Sequence, residues 1–210
     1  MSTPGKFITL EGSEGAGKST SLDALCRHLR QAGIDVYQTR EPGGTPMAEA
    51  IREVMLSDWQ EDVAGLTELL LVFAARHQHI SHEIKPRLAK GQWVVCDRFT
   101  DATYAYQGVA RGTPLDYVTA LENWVQGDLR PDLTLYLDID PEIGHQRIAG
   151  REQDRMENEQ VEFFHAVRTG YLQRVATRTT MQLIDASLSI KEVQTAMFAI
   201  VDPFIERYLA

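Results

Sequence analysis

From Gly12 to Ser19 the chain reads Gly12-Ser13-Glu14-Gly15-Ala16-Gly17-Lys18-Ser19, which fits G-x-x-x-x-G-K-[ST] at every fixed position. Thr20 follows directly. A chance match in a chain of ordinary composition is on the order of one in a hundred. The flanks lower that further. Phe7-Ile8-Thr9-Leu10 before it reads as a buried strand, and Leu22, Leu25, Cys26 and Leu29 after it share one helix face. A loop so placed has one chemical use. Its glycines let backbone N–H groups converge on phosphate oxygens, and the helix N-terminus adds its positive end. Lys18 then reaches the outer phosphates, and the Ser19 hydroxyl suits a magnesium ion.

The rest of the chain repeats that alternation. Short apolar runs begin at Val36, Trp93, Leu133 and Met181, and longer helical patterns separate them. Met47, Ile51, Val54 and Met55 share one face, as do Ile190, Val193, Met197, Ile200, Val201, Phe204 and Ile205. This predicts an α/β fold of the P-loop NTPase kind, with a five-stranded parallel sheet flanked by helices. We expect one domain over 1–210 with a short lid at about 148–158. Such a sheet binds ligands beyond the carboxyl ends of its strands, so the residues following each strand are the candidates.

Strand two leads into Thr39-Arg40-Glu41-Pro42-Gly43-Gly44-Thr45-Pro46, and Arg52 lies on the next helix. Strand three leads into Asp97-Arg98-Phe99. An acid there commonly serves magnesium or its waters, which makes Ser19 and Asp97 the candidate metal residues. Arg40, Arg52 and Arg98 are expected to converge on one phosphate. Glu14 is out of place in a phosphate cradle. It either accepts from an acceptor's sugar hydroxyl or is a solvated loop residue.

The net charge of -9 argues against a nucleic-acid polymer as partner. No apolar run reaches the roughly 18 residues of a membrane span. The start of the chain lacks an apolar leader core, and Cys26 and Cys96 belong to no metal-spaced cluster. A soluble, cytoplasmic protein is expected. His77, His79 and His82 do not share a helix face, so they are read as structural rather than as a metal site.

Over Phe7 to about Ser189 the sequence closely resembles the bacterial thymidylate kinases. The resemblance rests on the loop from Gly12 to Ser19, Arg40-Glu41-Pro42-Gly43-Gly44-Thr45, Asp97-Arg98-Phe99, and Ala105-Tyr106-Gln107-Gly108 followed by Arg111-Gly112. Many NTPases share the first; the other three together are specific to this family. The resemblance implies transfer of the γ-phosphoryl group of ATP, with Mg2+, to thymidine monophosphate, and a homodimer built on long helices such as that around Leu66 to Ile84. It implies that Glu14 holds the 3′-hydroxyl. Arg40, Glu41, Pro42 and Arg52 wall and hold the acceptor phosphate and sugar, and Arg98 grips that phosphate. Arg76 bonds the thymine carbonyl, Thr103 and Gln107 face the base, and Tyr106 lies against the deoxyribose. Arg147 lies against adenine, near Asp185-Ala186-Ser187.

Two positions separate this chain from parts of the family. The family usually has phenylalanine four residues before the base-reading arginine; here Val72 stands there and Phe73 is one residue later. Phe73 is taken as the stacking ring. Members without a basic residue inside the phosphate loop place the catalytic arginine in the lid. Position 15 is glycine, so the polar run Gly150-Arg151-Glu152-Gln153-Asp154-Arg155 is expected to supply it, from Arg151 or Arg155. Another nucleoside-monophosphate or deoxynucleoside kinase is the near alternative. A GTPase-type switch is remote, because the chain has no Asn-Lys-x-Asp guanine motif.

Overall fold

A computed structural model describes residues 4–150 and 154–209. Five strands form one all-parallel sheet in the order β2-β3-β1-β4-β5: β1 (Phe7–Gly12), β2 (Val36–Arg40), β3 (Trp93–Asp97), β4 (Leu133–Asp138) and β5 (Met181–Asp185). The five apolar runs of the sequence are all strands, as expected. All five extend past their apolar run at the carboxyl end, to Gly12, Arg40, Asp97, Asp138 and Asp185.

Both faces of the sheet are covered, because successive strand residues point to opposite sides. Ile8 and Leu10 pack with Leu25, Cys26 and Leu29 of α1 (Lys18–Gln31) and with Val193, Met197 and Val201 of α9 (Ile190–Leu209). On the other face Phe7 meets Phe99 edge-on at 4.9 Å. Tyr136 stacks there on Tyr171 of α8 (Val161–Thr177) at 4.8 Å.

Beyond β2, α2 (Pro46–Leu56) is capped by Thr45, whose hydroxyl accepts from the Ala48 N–H at 3.2 Å. Next, α3 (Gly65–His79) runs through a π-helical turn, Ile80–Ile84, into α4 (Lys85–Ala89). After β3, α5 (Thr100–Thr103) continues into a second π-helical stretch, Tyr104–Ala110, and α6 (Leu115–Gln126) follows. π-helical turns inside helices frequently mark functional sites, and this one carries Tyr106 and Gln107.

Two glycine contacts tie this frame together. A Cβ on Gly15 would stand 2.2 Å from the Gly144 carbonyl oxygen, so the phosphate loop lies directly on α7 (Pro141–Ile148). A Cβ on Gly170 would stand 2.7 Å from Ala105 Cα, so α8 lies directly on the Tyr104–Ala110 stretch. The connection between α7 and α8 therefore hangs between two backbone-to-backbone contacts.

Candidate active site

The carboxyl ends of β1, β2 and β3 open into one cleft of about 850 Å³. That is the size range of a ligand site. Its floor is the phosphate loop. Gly12, Gly15 and Gly17 have φ of 153°, 74° and 80°, conformations that only glycine adopts without strain. Ser13 and Ala16 are buried beneath the loop, while Ser19 and Thr20 are exposed at the start of α1. Lys18 Nζ donates to the Ser13 carbonyl at 2.9 Å. Loss of hydration, and then the repulsion of Arg98, lower the Lys18 ammonium to about 8. A phosphate placed there would favour its charged form.

Glu14 is not a solvated loop residue. Its carboxylate accepts from Arg98 Nη2 at 2.5 Å and from the Tyr106 hydroxyl at 2.7 Å. Burial raises its pKa, and Arg98, then Lys18, outweigh that, so the carboxyl sits below its usual value. Arg98 itself has φ 66°, rare for a residue with a side chain. Its Nη1 donates to the Tyr171 hydroxyl at 3.2 Å, and its guanidinium lies 4.9 Å over the Tyr106 ring. One residue absent from the sequence-based expectation supports this turn. Glu11, fully buried in β1, accepts from the Phe99 N–H at 2.7 Å and from the Tyr171 hydroxyl at 2.9 Å. Burial, then the Asp101 carboxylate, push the Glu11 carboxyl upward. A glutamate inside an apolar strand was the available signal.

Arg40, Arg52 and Arg98 all line the cleft. Arg40 pairs with Glu49 at 2.7 Å, and Arg52 donates to the Pro42 carbonyl at 3.1 Å. Pro42 follows a cis peptide bond from Glu41. Desolvation lowers the Arg52 pKa, and Arg40 and Arg98 lower it further. Three cations that repel one another in the free protein form a site suited to an anion.

Deeper in, Arg76 is 1% exposed. Its Nε donates to Glu41 at 2.7 Å and its Nη2 to Thr103 at 3.0 Å. Glu41 also accepts from His79 Nδ1 at 3.1 Å, and His79 Nε2 lies 2.8 Å from the Thr39 hydroxyl. His79 is thus a strut under Arg76, a placement that helical spacing alone could not reveal. Gln107 lines the cleft one turn beyond Thr103.

The expectation for Phe73 needs correction. Phe73 is 2% exposed, lies outside the cleft lining and packs under the Arg76 guanidinium at 4.8 Å. Val72 forms the wall instead, together with Phe99. Spacings of three and four share a helix face, so the sequence left the two positions open, and the helix is turned to present the four-residue neighbour.

At the far end Arg147 bridges the Gly15, Ala186 and Ser187 carbonyls at 3.4, 2.8 and 3.1 Å. Ala186 is buried behind it. Arg155 donates to the Met55 carbonyl at 2.8 Å and to Glu68 at 2.9 Å. Arg151 lies outside the described residues.

Among the described residues, two buried side-chain atoms have no hydrogen-bond partner: Arg76 Nη1 and Asp97 Oδ1. Both residues line the cleft. Buried polar groups are normally satisfied, so these two mark where a ligand completes the site.

The sequence matches the family described as thymidylate kinase over residues 10–197. It is 54% identical to a thymidylate kinase of Pseudomonas putida over 205 residues, covering 97% of this chain and 98% of that one. It is 53% identical to those of Pseudomonas syringae pv. tomato and Ectopseudomonas mendocina, each over 204 residues, covering 96% of this chain and 97% of theirs. A phosphate loop facing an arginine-lined acceptor cleft, and a match running through nearly the whole length, lead to one conclusion: the chain belongs to the thymidylate kinase family.

Proposed function

We propose that this chain transfers the γ-phosphoryl group of ATP to the phosphate of thymidine monophosphate, giving thymidine diphosphate and ADP. The carrying observation is the pair of unpartnered buried atoms in one cleft, Arg76 Nη1 and Asp97 Oδ1. The first is a donor suited to a base carbonyl. The second is an oxygen suited to a hard cation or its waters.

The phosphate loop amides and Lys18 hold the ATP phosphates, and Arg147 borders the adenine. Arg40, Arg52 and Arg98 hold the acceptor phosphate, with Glu41 and Pro42 walling it. Glu14 takes the sugar hydroxyl and Tyr106 the sugar face. Ser19 and Asp97 supply oxygen donors that fit Mg2+, which offsets phosphate charge when bound. Little covalent chemistry is asked of the protein, so catalysis is positioning and charge stabilisation.

The loop at 148–158 acts as a lid. Because the Gly144 backbone fills the space beside Gly15, no side chain at position 15 can supply transition-state charge. On this reading Arg151 supplies it, and Arg155 anchors the lid to α2 and α3 through Met55 and Glu68.

The active form is a homodimer. α3 exposes Leu66 and Leu70 one turn apart, and the helix packed on it, α6, exposes Tyr117 and Trp124. No described helix is long and apolar enough to cross a membrane, and the two free cysteines are buried. Both fit a cytoplasmic enzyme.

A product assay with ATP and a panel of nucleoside monophosphates tests the reading. Thymidine monophosphate is expected to be the best acceptor. A higher specificity constant for another monophosphate, or for an unphosphorylated nucleoside, overturns it.

A further inference from the structure

Glu68 lies on α3 with its carboxylate fully buried. A buried charge needs partners, and three side chains supply them. Arg155 Nη2 donates to Oε1 at 2.9 Å, Arg111 Nε donates to Oε2 at 3.2 Å, and Gln107 Nε2 donates to Oε2 at 3.3 Å. A carboxylate between two guanidiniums can only accept. The end of the Gln107 amide that faces it must therefore be the NH2 group. The other end, Oε1, makes no hydrogen bond among the described residues, and Gln107 lines the cleft.

The neighbouring donor is fixed in the same way. Arg76 spends Nε on Glu41 and Nη2 on Thr103, one turn before Gln107, which leaves Nη1 free. This end of the cleft thus sets a donor, Arg76 Nη1, near an acceptor, Gln107 Oε1, with the Thr103 hydroxyl, which accepts from Arg76, also in the lining. The edge of thymine carries the complement: a carbonyl acceptor, O4, beside an N–H donor, N3. Cytosine reverses both, with an amine at C4 beside an unprotonated N3.

We propose that Glu68 is a specificity-determining positioning residue. It does not touch the acceptor; it holds the Gln107 amide so that its oxygen faces the base, and so favours an imide edge (thymine or uracil) over cytosine. Turning the amide over would lose the bond to Glu68 and press two oxygens together. The proposal rests on the thymidylate reading of the cleft given above.

The test is the ratio of kcat/KM for thymidine monophosphate to that for deoxycytidine monophosphate. It is measured in the wild type, Glu68→Gln, Gln107→Leu and the double variant. A glutamine at 68 can donate as well as accept, so it frees the amide. Glu68→Gln is expected to lower the ratio about tenfold, and to lower it no further in the Gln107→Leu background. An unchanged ratio, or an equal fall in both backgrounds, overturns the proposal. If Glu68→Gln does not fold, Glu68→Asp keeps the charge for both arginines while withdrawing the carboxylate from Gln107 by about 1.5 Å. A folded Asp variant with the full wild-type ratio overturns it equally. Arg155→Met separates the lid: it is expected to slow transfer and leave the ratio alone. A matching fall there would assign the selectivity to lid anchoring instead. A wild type that does not prefer thymidine monophosphate sinks the reading of the cleft itself, a result distinct from all of these.

Discussion

The two walls of the cleft are built differently. The phosphate loop presents backbone amides and one lysine, and that lysine rests on a carbonyl of its own loop. Ser19 and Thr20 beside it are exposed. The acceptor wall is made of side chains locked before any ligand arrives: Arg76 by Glu41 and Thr103, Glu41 by His79, Gln107 by Glu68, and Glu14 by Arg98 and Tyr106. The difference follows from what each wall must recognise. A triphosphate is gripped by charge and N–H groups, which any backbone supplies. One base among several must be read by donors and acceptors in set directions, and that requires buried, mutually satisfied networks.

The sharpest way to break this contrast is Lys18→Ala. Among the described residues the lysine's one hydrogen bond goes to the Ser13 carbonyl, so the fold should survive while turnover falls by about 10³. A folded mutant with near-normal single-turnover rates would show that the loop amides suffice. Next comes the charge that arrives from neither wall. On the proposed reading Arg151 acts in the transition state, so Arg151→Ala should lower turnover by on the order of 10³ with acceptor affinity nearly unchanged. Arg155→Ala should cost less, through a loosened lid. Equal losses in rapid-quench measurements would erase that division.

Arg98→Ala sharpens the contrast from the other side. It should weaken thymidine monophosphate binding about 10–100-fold and ATP binding by no more than about twofold. Isothermal titration of each nucleotide decides it; matched losses would mean the walls are not separate. The smallest effect concerns pH. With Lys18 lowered to about 8 in the free protein, its ammonium is lost as pH rises through that value. ATP needs the charged form, so binding above pH 8 must take up a proton. Affinity should fall by up to about tenfold between pH 7 and 9. Calorimetry in two buffers of different ionisation enthalpy reads the uptake directly. No proton uptake at pH 9 would place the lysine's pKa well above 8.

Much of this was legible before the structure. The strand positions followed from apolar runs, and the phosphate loop from its spacing. The strand ends did not, because Gln38, Arg40 and Asp97 carry no apolar signal although they continue the ladder. That Arg40, Arg52 and Arg98 share one cleft was legible too, since each follows a strand or sits on the next helix. Glu11, Glu68 and His79 were not visible as parts of the site. A buried charge looks like an exposed one in a linear pattern. What buries Glu68 is the arrival of Arg111 and Arg155, 43 and 87 residues away in the chain. Val72 and Phe73 differ by a rotation of about 100° on the helix, which hydrophobicity cannot resolve when both side chains are apolar.

The two glycine contacts at Gly144 and Gly170 bear on how two parts of the cleft are held to each other. One fastens α7, where the connection begins, to the phosphate loop; the other fastens α8, where it ends, to the Tyr104–Ala110 stretch. The dozen residues between Ile148 and Val161 can span at most about 40 Å. The connection therefore limits how far apart the phosphate loop and the Tyr104–Ala110 stretch can move. Inserting residues into it would loosen the link between those two places while leaving both glycine contacts intact.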